Sequence, residues 1–158
     1  MSCAIRRARS GDEALVLAFI RELAEYEKLL DSVVASEASV RAALFGPNPR
    51  VFCDIAEAEG EPAGFALWFY NYSTFLARHG IYLEDLFVRP RFRGKGIGKA
   101  LLVNLAARTV REGCGRLEWA VLDWNAPSIA FYESLGARAM KEWQVYRLTG
   151  EPLRRLAG

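Results

Sequence analysis

Ile81-Tyr82-Leu83-Glu84-Asp85-Leu86-Phe87-Val88-Arg89-Pro90-Arg91-Phe92-Arg93-Gly94-Lys95-Gly96-Ile97-Gly98-Lys99 carries an apolar strand into a basic, glycine-rich turn and on into the start of a helix. Glycine lets main-chain N–H groups approach a ligand closely. A helix N-terminus adds unpaired donors and the positive end of its dipole. Strand, turn and helix start together make an anion site suited to a pyrophosphate. Arg89, Arg91, Arg93, Lys95 and Lys99 add five positive charges, and residues 86–99 contain no acid.

The common phosphate loops do not account for this turn. A Walker A loop needs G-x-x-x-x-G-K-[ST], yet Ala100 follows Gly98-Lys99, and Arg93 stands where the first glycine belongs. The dinucleotide fingerprint G-x-G-x-x-G breaks at Lys99 when counted from Gly94, and at Leu101 when counted from Gly96. The pattern present is R-x-x-G-x-G, at Arg93, Gly96 and Gly98.

Upstream, Ala4–Ala8 reads as a short strand, and Asp12 offers an N-cap to a helix with Leu15, Phe19, Leu23 and Tyr26 at helical spacing. A second helix follows Ser36 and stops before Gly46-Pro47. Val51–Glu59 and Ala63–Tyr72 are strands, joined as a hairpin through Gly60-Glu61-Pro62. Downstream of the turn, Gly96–Glu112 is a long helix and Arg116–Leu122 an apolar, central strand. Asn125–Leu135 is a helix with Asn125 as cap, Pro127 in its first turn and Gly136 as its left-handed stop. Trp143–Leu148 reads as the last strand, and the chain past Gly150 as loose. The order β-α-α-β-β-β-α-β-α-β describes one α/β domain over residues 1–150 with a short tail at 151–158. Its expected core is a mixed, mostly antiparallel central sheet covered by helices on both faces.

Composition narrows the function classes. The chain has 158 residues, 52% hydrophobic and 25% charged, which suits a globular domain with a sizeable core. Cys3, Cys53 and Cys114 are odd in number and widely spaced, so neither a disulfide framework nor a zinc site is expected, and a reducing cytoplasm fits. His79 is the only histidine, which removes a Ser-His-Asp relay and most metal sites. No signal sequence and no membrane span is expected, because charges interrupt every apolar run. Residues 1–85 carry a net charge of −5 and residues 86–158 a net of +7, a split that points to two ligand surfaces of opposite sign or to unrelated solvated faces. Nucleic acid is not the expected partner, since the basic residues cluster at one turn where cofactor phosphates explain them.

A second segment, Asp123-Trp124-Asn125-Ala126-Pro127-Ser128-Ile129-Ala130-Phe131-Tyr132-Glu133-Ser134-Leu135-Gly136-Ala137, spells N-x-x-S-x-x-F-Y-x-x-x-G-A. Taken in order, the two segments resemble the signatures of the GNAT acetyltransferases. With Arg21-Glu22-Leu23-Ala24-Glu25-Tyr26-Glu27 added, the chain is most similar to the diamine (spermidine/spermine) acetyltransferases and their thialysine-acetylating relatives. That resemblance implies acetyl-CoA as co-substrate, no metal, a small-molecule amine as acceptor and a homodimer. It implies that Leu86, Phe87 and Val88 pair with the pantetheine arm. Arg93, Gly94, Lys95, Gly96, Ile97, Gly98 and Lys99 would hold the pyrophosphate, and Asn125, Ser128 and Tyr132 would also meet the cofactor. Glu84 would be the base, acting through water, and Tyr132 the acid that protonates the departing thiolate. Tyr26, Glu27, Glu84, Asp85 and Trp119 would line the amine site. The alternatives are another acceptor, such as a peptide N-terminus or lysine, and a non-catalytic acyl-CoA-binding module.

The chemistry agrees with such a site. An amine attacks a thioester as its free base, yet alkylamines with a pKa near ~10 are almost wholly protonated at neutral pH. A carboxylate stabilises the ammonium and relays its proton, and a phenol assists the leaving thiolate. Strict strand alternation puts Glu84 with Tyr82 and Leu86, and Asp85 with Leu83 and Phe87, so both acids share a pocket only if a bulge intervenes. Lys141-Glu142 precedes Trp143 where the family has acidic character, and Lys141 would repel a second ammonium. Trp68, Trp119 and Trp143 are candidate cation–π walls or core residues.

Overall fold

A computed structural model describes residues 2–158. The chain falls into two compact units, one running to Ala120 and the other covering Val121–Gly158. The first holds a five-stranded sheet in the order β1-β2-β3-β4-β5, formed by β1 (Cys3–Arg7), β2 (Phe52–Ala58), β3 (Glu61–Ser73), β4 (Arg78–Val88) and β5 (Leu117–Trp119). The first three pairings are antiparallel and β4–β5 is parallel, which is the mixed, mostly antiparallel sheet expected.

Helices cover both faces. On one face lie α1 (Glu13–Tyr26) and α2 (Glu37–Phe45), where Val16, Phe19, Val40 and Leu44 pack with Ile55, Phe65 and Phe87. Phe19 stacks on Phe65 with centroids 5.1 Å apart. On the other face lies α3 (Ile97–Arg111), which buries Ile97, Leu101, Leu102 and Leu105. Its Asn104 reaches buried Asp54 at 3.3 Å, and Asp54 also accepts from the Trp68 indole at 3.0 Å. Trp68 is fully buried, with the Arg7 and Arg108 guanidinium groups each 5.1 Å from its ring, so it is a core residue and not a ligand wall.

Local chemistry explains several boundaries. Ser36 and Ser39 form a reciprocal capping box at the start of α2. Asp12 stands at the N-cap position of α1, but its carboxylate turns back to the Arg9 N–H and the Arg6 guanidinium instead of capping the helix. The β2–β3 turn falls at Glu59-Gly60, both with positive φ, one residue earlier than expected, and Glu61 and Pro62 begin β3. A register shift at Ala56/Glu57 accommodates Pro62.

In the second unit, α4 (Ala126–Ser134) begins at Asn125, whose side chain accepts the Ser128 N–H at 3.3 Å, and Gly136 closes it at φ +90°. Two expectations fail there. Trp143–Leu148 is not a strand, and no strand of the sheet comes from beyond Trp119. A strand exists only beside a neighbour that takes up its backbone donors and acceptors, which alternating side chains cannot supply. The tail is not loose either: Gly150–Ala157 forms α5, with Glu151 in its first turn, Arg154 and Arg155 in its last, and a Glu151–Arg154 pair at 3.1 Å. Those charges complement the helix dipole.

Candidate active site

Strand β4 has two unequal edges. Along one it pairs with β3 from Arg78 to Val88, whereas on the other β5 accompanies it only from Ile81 to Leu83. Beyond Leu83 that second edge carries main-chain groups with no ladder partner among the described residues. The Arg89 N–H donates to the Ala63 carbonyl of β3 at 2.8 Å. A trans peptide points its carbonyl opposite its N–H, so the Val88 carbonyl faces the uncovered edge, and by alternation so does that of Leu86. Phe87 faces β3 instead: its carbonyl lies 2.5 Å from where a Cβ on Gly64 would stand. Gly64 thus permits the close approach of β3 and β4 beside this edge.

Glu84 sits at an irregularity. Leu67 pairs with Asp85 but Trp68 pairs with Leu83, so Glu84 is an extra residue on β4, a β-bulge. The side of the sheet served by odd-numbered residues therefore changes within one strand. Phe87 joins the α1 core, whereas Leu83 is buried opposite Trp68 on the α3 face. The bulge removes the objection that strict alternation keeps the two acids apart. Glu84 is exposed and Asp85 half-buried. Burial, Glu84 and then Glu27 push the Asp85 carboxyl up to about 6. Burial also raises Glu27, the C-cap of α1.

Tyr26 and Glu27 are held by the way α1 ends. Lys28 takes φ 62°, and the Lys28 and Leu29 N–H groups return to the Glu25 and Ala24 carbonyls at 3.0 and 2.8 Å. That is a Schellman closure with a non-glycine in the left-handed position. Trp119 is the last ladder residue of β5, opposite Leu83 and next to the bulge.

After β4 the chain makes a one-turn helix at Pro90–Phe92 and enters the glycine turn. Gly94 and Gly96 have φ of +74° and +81°, and Gly96 is the N-cap of α3. The first intrahelical bond runs from the Ala100 N–H to the Gly96 carbonyl at 2.9 Å, so the N–H groups of Ile97, Gly98 and Lys99 have no helical acceptor. Gly98 has ordinary room, with a Cβ there 3.7 Å from Val88.

The basic residues are not a bare patch. Arg89 is clamped by Glu22 at 2.9 and 3.0 Å and lies over Phe19 at 4.7 Å, which makes it a structural tie from α1 to β4. Exposed pairs join Arg91 to Glu61 at 2.7 Å and Lys95 to Glu59 at 3.6 Å. These counter-ions come from other elements, so the sequence around the turn could not reveal them. Arg93 donates from Nε to the Val88 carbonyl at 2.8 Å and lies 4.9 Å from the Tyr26 ring.

Within the first unit the fold therefore brings together Tyr26, Glu27, Glu84–Val88, Arg93–Lys99 and Trp119. Asn125, Ser128 and Tyr132 belong to the second unit, where Tyr132 packs beside Phe131 at 5.5 Å and its carbonyl accepts the Ala137 N–H at 3.2 Å. Trp143, expected as a possible wall, is 74% exposed. Among the described residues there is no cluster of His, Cys, Asp and Glu able to hold a metal ion, and no helix is long and apolar enough to cross a membrane.

Comparison with known proteins gives three kinds of match. The model of the acetyltransferase (GNAT) family matches residues 17–137. Thialysine N-epsilon-acetyltransferase of Sus scrofa is 45% identical, covering 99% of this chain and 98% of that protein. L-ornithine N5-acetyltransferase of Arabidopsis thaliana is 34% identical over 94% of this chain and 85% of its own. Among solved structures, an integron cassette protein from the mobile metagenome of V. cholerae superposes with a TM-score of 0.82 at 31% identity, over 99% of this chain and 98% of that one.

Proposed function

The chain belongs to the acetyltransferase (GNAT) family and is an acyltransferase acting on amines, and from that premise we propose that it moves an acetyl group from acetyl-CoA to a primary amine of a thialysine-like amino acid or small diamine. The observation that carries this reading is the course of β4. Its edge has no ladder partner from Glu84 onward, leads through the single turn at Pro90–Phe92 into the glycine turn, and has the acids of the bulge at its head. Those residues fit the co-substrate: Leu86 and Val88 offer an amide-pairing edge, and the turn and α3 offer donors and cations to a pyrophosphate. The co-substrate supplies the activated acetyl thioester.

The chain's own residues do the rest. The ammonium of the acceptor is attracted by Glu84, Asp85 and Glu27. Glu84 takes its proton through a water, which frees the nitrogen lone pair to attack. A main-chain N–H on the bare edge polarises the thioester carbonyl. Tyr132 is assigned as the acid that protonates the leaving thiolate, and Asn125 and Ser128 as further cofactor contacts. Tyr26 and Trp119 form aromatic walls of the acceptor site. A homodimer and a cytoplasmic setting complete the proposal.

The test is thiol release from acetyl-CoA with a panel of thialysine, ornithine, lysine, putrescine, spermidine and a peptide N-terminus. Acceptors with one amine on a short aliphatic arm are expected to turn over best, and Lys141 counts against long polyamines. Coenzyme A release with none of the small amines would overturn the acceptor assignment.

A further inference from the structure

Arg93 touches both halves of the proposed site. Of the turn's cations, Arg89, Arg91 and Lys95 each have a carboxylate within 4 Å. Arg93, like Lys99, has none among the described residues. Instead its Nε holds the Val88 carbonyl at 2.8 Å, on the edge of β4 that β5 leaves bare. Its Cζ lies 4.9 Å from the Tyr26 ring centroid and 5.4 Å from that of Phe87. A guanidinium has five donors in one plane, and Nε uses a single one of them. The other four, with the full charge, remain for an anion in the adjacent turn, and a charge-assisted bond to phosphate is stronger than one to a neutral carbonyl.

We propose that Arg93 is a positioning residue coupling the phosphate turn to Tyr26, so that loading of the turn sets how the acceptor wall is held. The proposal rests on the family reading for the occupants of the two sites, not for the coupling. A phosphate beside Gly94–Lys99 draws the guanidinium toward itself, the contact with the Tyr26 face loosens or reorients, and the tyrosine presents itself differently to an amine. By reciprocity, an acceptor resting on Tyr26 changes the affinity of the turn for phosphate by the same factor. A cation–π contact at an exposed site corresponds to roughly a two- to fivefold change in an equilibrium, which is the size of coupling expected.

The experiment uses the full chain with fluorotyrosine at Tyr26 only, titrated with coenzyme A, and in parallel with inorganic pyrophosphate. The fluorine resonance is expected to move with both. In Arg93→Gln, which keeps a donor for the Val88 carbonyl but has no cationic plane, coenzyme A binds more weakly, and at concentrations where calorimetry shows the site filled the resonance stays where it was. Arg93→Lys, charged but not planar, gives a partial response. In steady state, Tyr26→Leu and Arg93→Gln each raise the acceptor KM with little change in kcat, and together they raise it two- to fivefold less than the product of the singles. A Tyr26 resonance indifferent to bound coenzyme A, or KM effects that simply multiply, would overturn the coupling. Binding and a moving resonance without acetylation of any amine would sink the proposed function and leave the coupling standing. No binding of coenzyme A would remove both.

Discussion

The Asp85 carboxyl ionises only near a pH of about 6, because burial and the charges of Glu84 and Glu27 all oppose its anion. In the unfolded chain it ionises near 3.8, so the native state holds this proton more tightly. The stability tied to that proton is complete below the unfolded value and is lost as pH rises through about 6. Asp85→Asn removes a carboxylate that the fold tolerates poorly. We expect it to be more stable than the wild type at alkaline pH by about 1–2 kcal/mol, after allowance for a half-exposed side chain. That advantage should fade as pH falls from about 6 toward 3.8, which urea midpoints across that range will register. Glu84→Gln is a different matter: kcat should fall by about 10²–10⁴-fold while coenzyme A binding is unchanged, as steady-state rates and calorimetry would show. Both acids stood out in the sequence. Their shared location did not, because the apolar spacing of Ile81, Leu83 and Phe87 looks like uninterrupted alternation although Glu84 breaks the register beneath it. Nothing local marks that break; it appears only against β3.

Among the elements, those governed by local chemistry were the ones the sequence disclosed. The helices α1 to α4 follow from periodicity, caps and stop residues, and the glycine turn from its own φ requirements. What depended on a distant neighbour was missed. The extent of β5, the absence of a strand at Trp143–Leu148 and the carboxylates facing Arg89, Arg91 and Lys95 are set by partners remote in sequence. Two substitutions test the hairpin that carries the site. Gly64→Ala puts a Cβ 2.5 Å from the Phe87 carbonyl and 3.2 Å from Val88 Cα, forcing β3 from β4. Such overpacking should cost about 1–3 kcal/mol, and it should also weaken coenzyme A binding by displacing the Leu86–Val88 edge, as denaturation and calorimetry together would report. Ala77→Gly acts in the opposite sense. Ala77 sits at φ 52° in the β3–β4 connection, a conformation a Cβ disfavours, so glycine there should stabilise by about 0.5–1 kcal/mol in a urea titration, with kinetics unchanged.

At the level of the molecule, three ion pairs join the acidic half of the sequence to the basic half. Glu22, Glu59 and Glu61 from the acidic half meet Arg89, Lys95 and Arg91 from the basic half, so the two populations are interleaved around the turn. A ligand that binds there only when the chain is folded must raise its melting temperature. At a hundredfold excess over Kd the gain is about 2.7 kcal/mol, or roughly 5–10 °C for a chain of this size. Calorimetric scans with and without coenzyme A give the answer, and desulfo-coenzyme A should behave alike because the phosphates and pantetheine arm are retained. The bulge at Glu84 carries one more implication, for the gene. Loss of that single codon would leave Leu83 and Asp85 as neighbours on a regular ladder, with Ile81, Leu83 and Phe87 each still on its present side of the sheet. The sheet could therefore spare this one position, and it is the proposed chemistry of the acid there that would keep it in the gene.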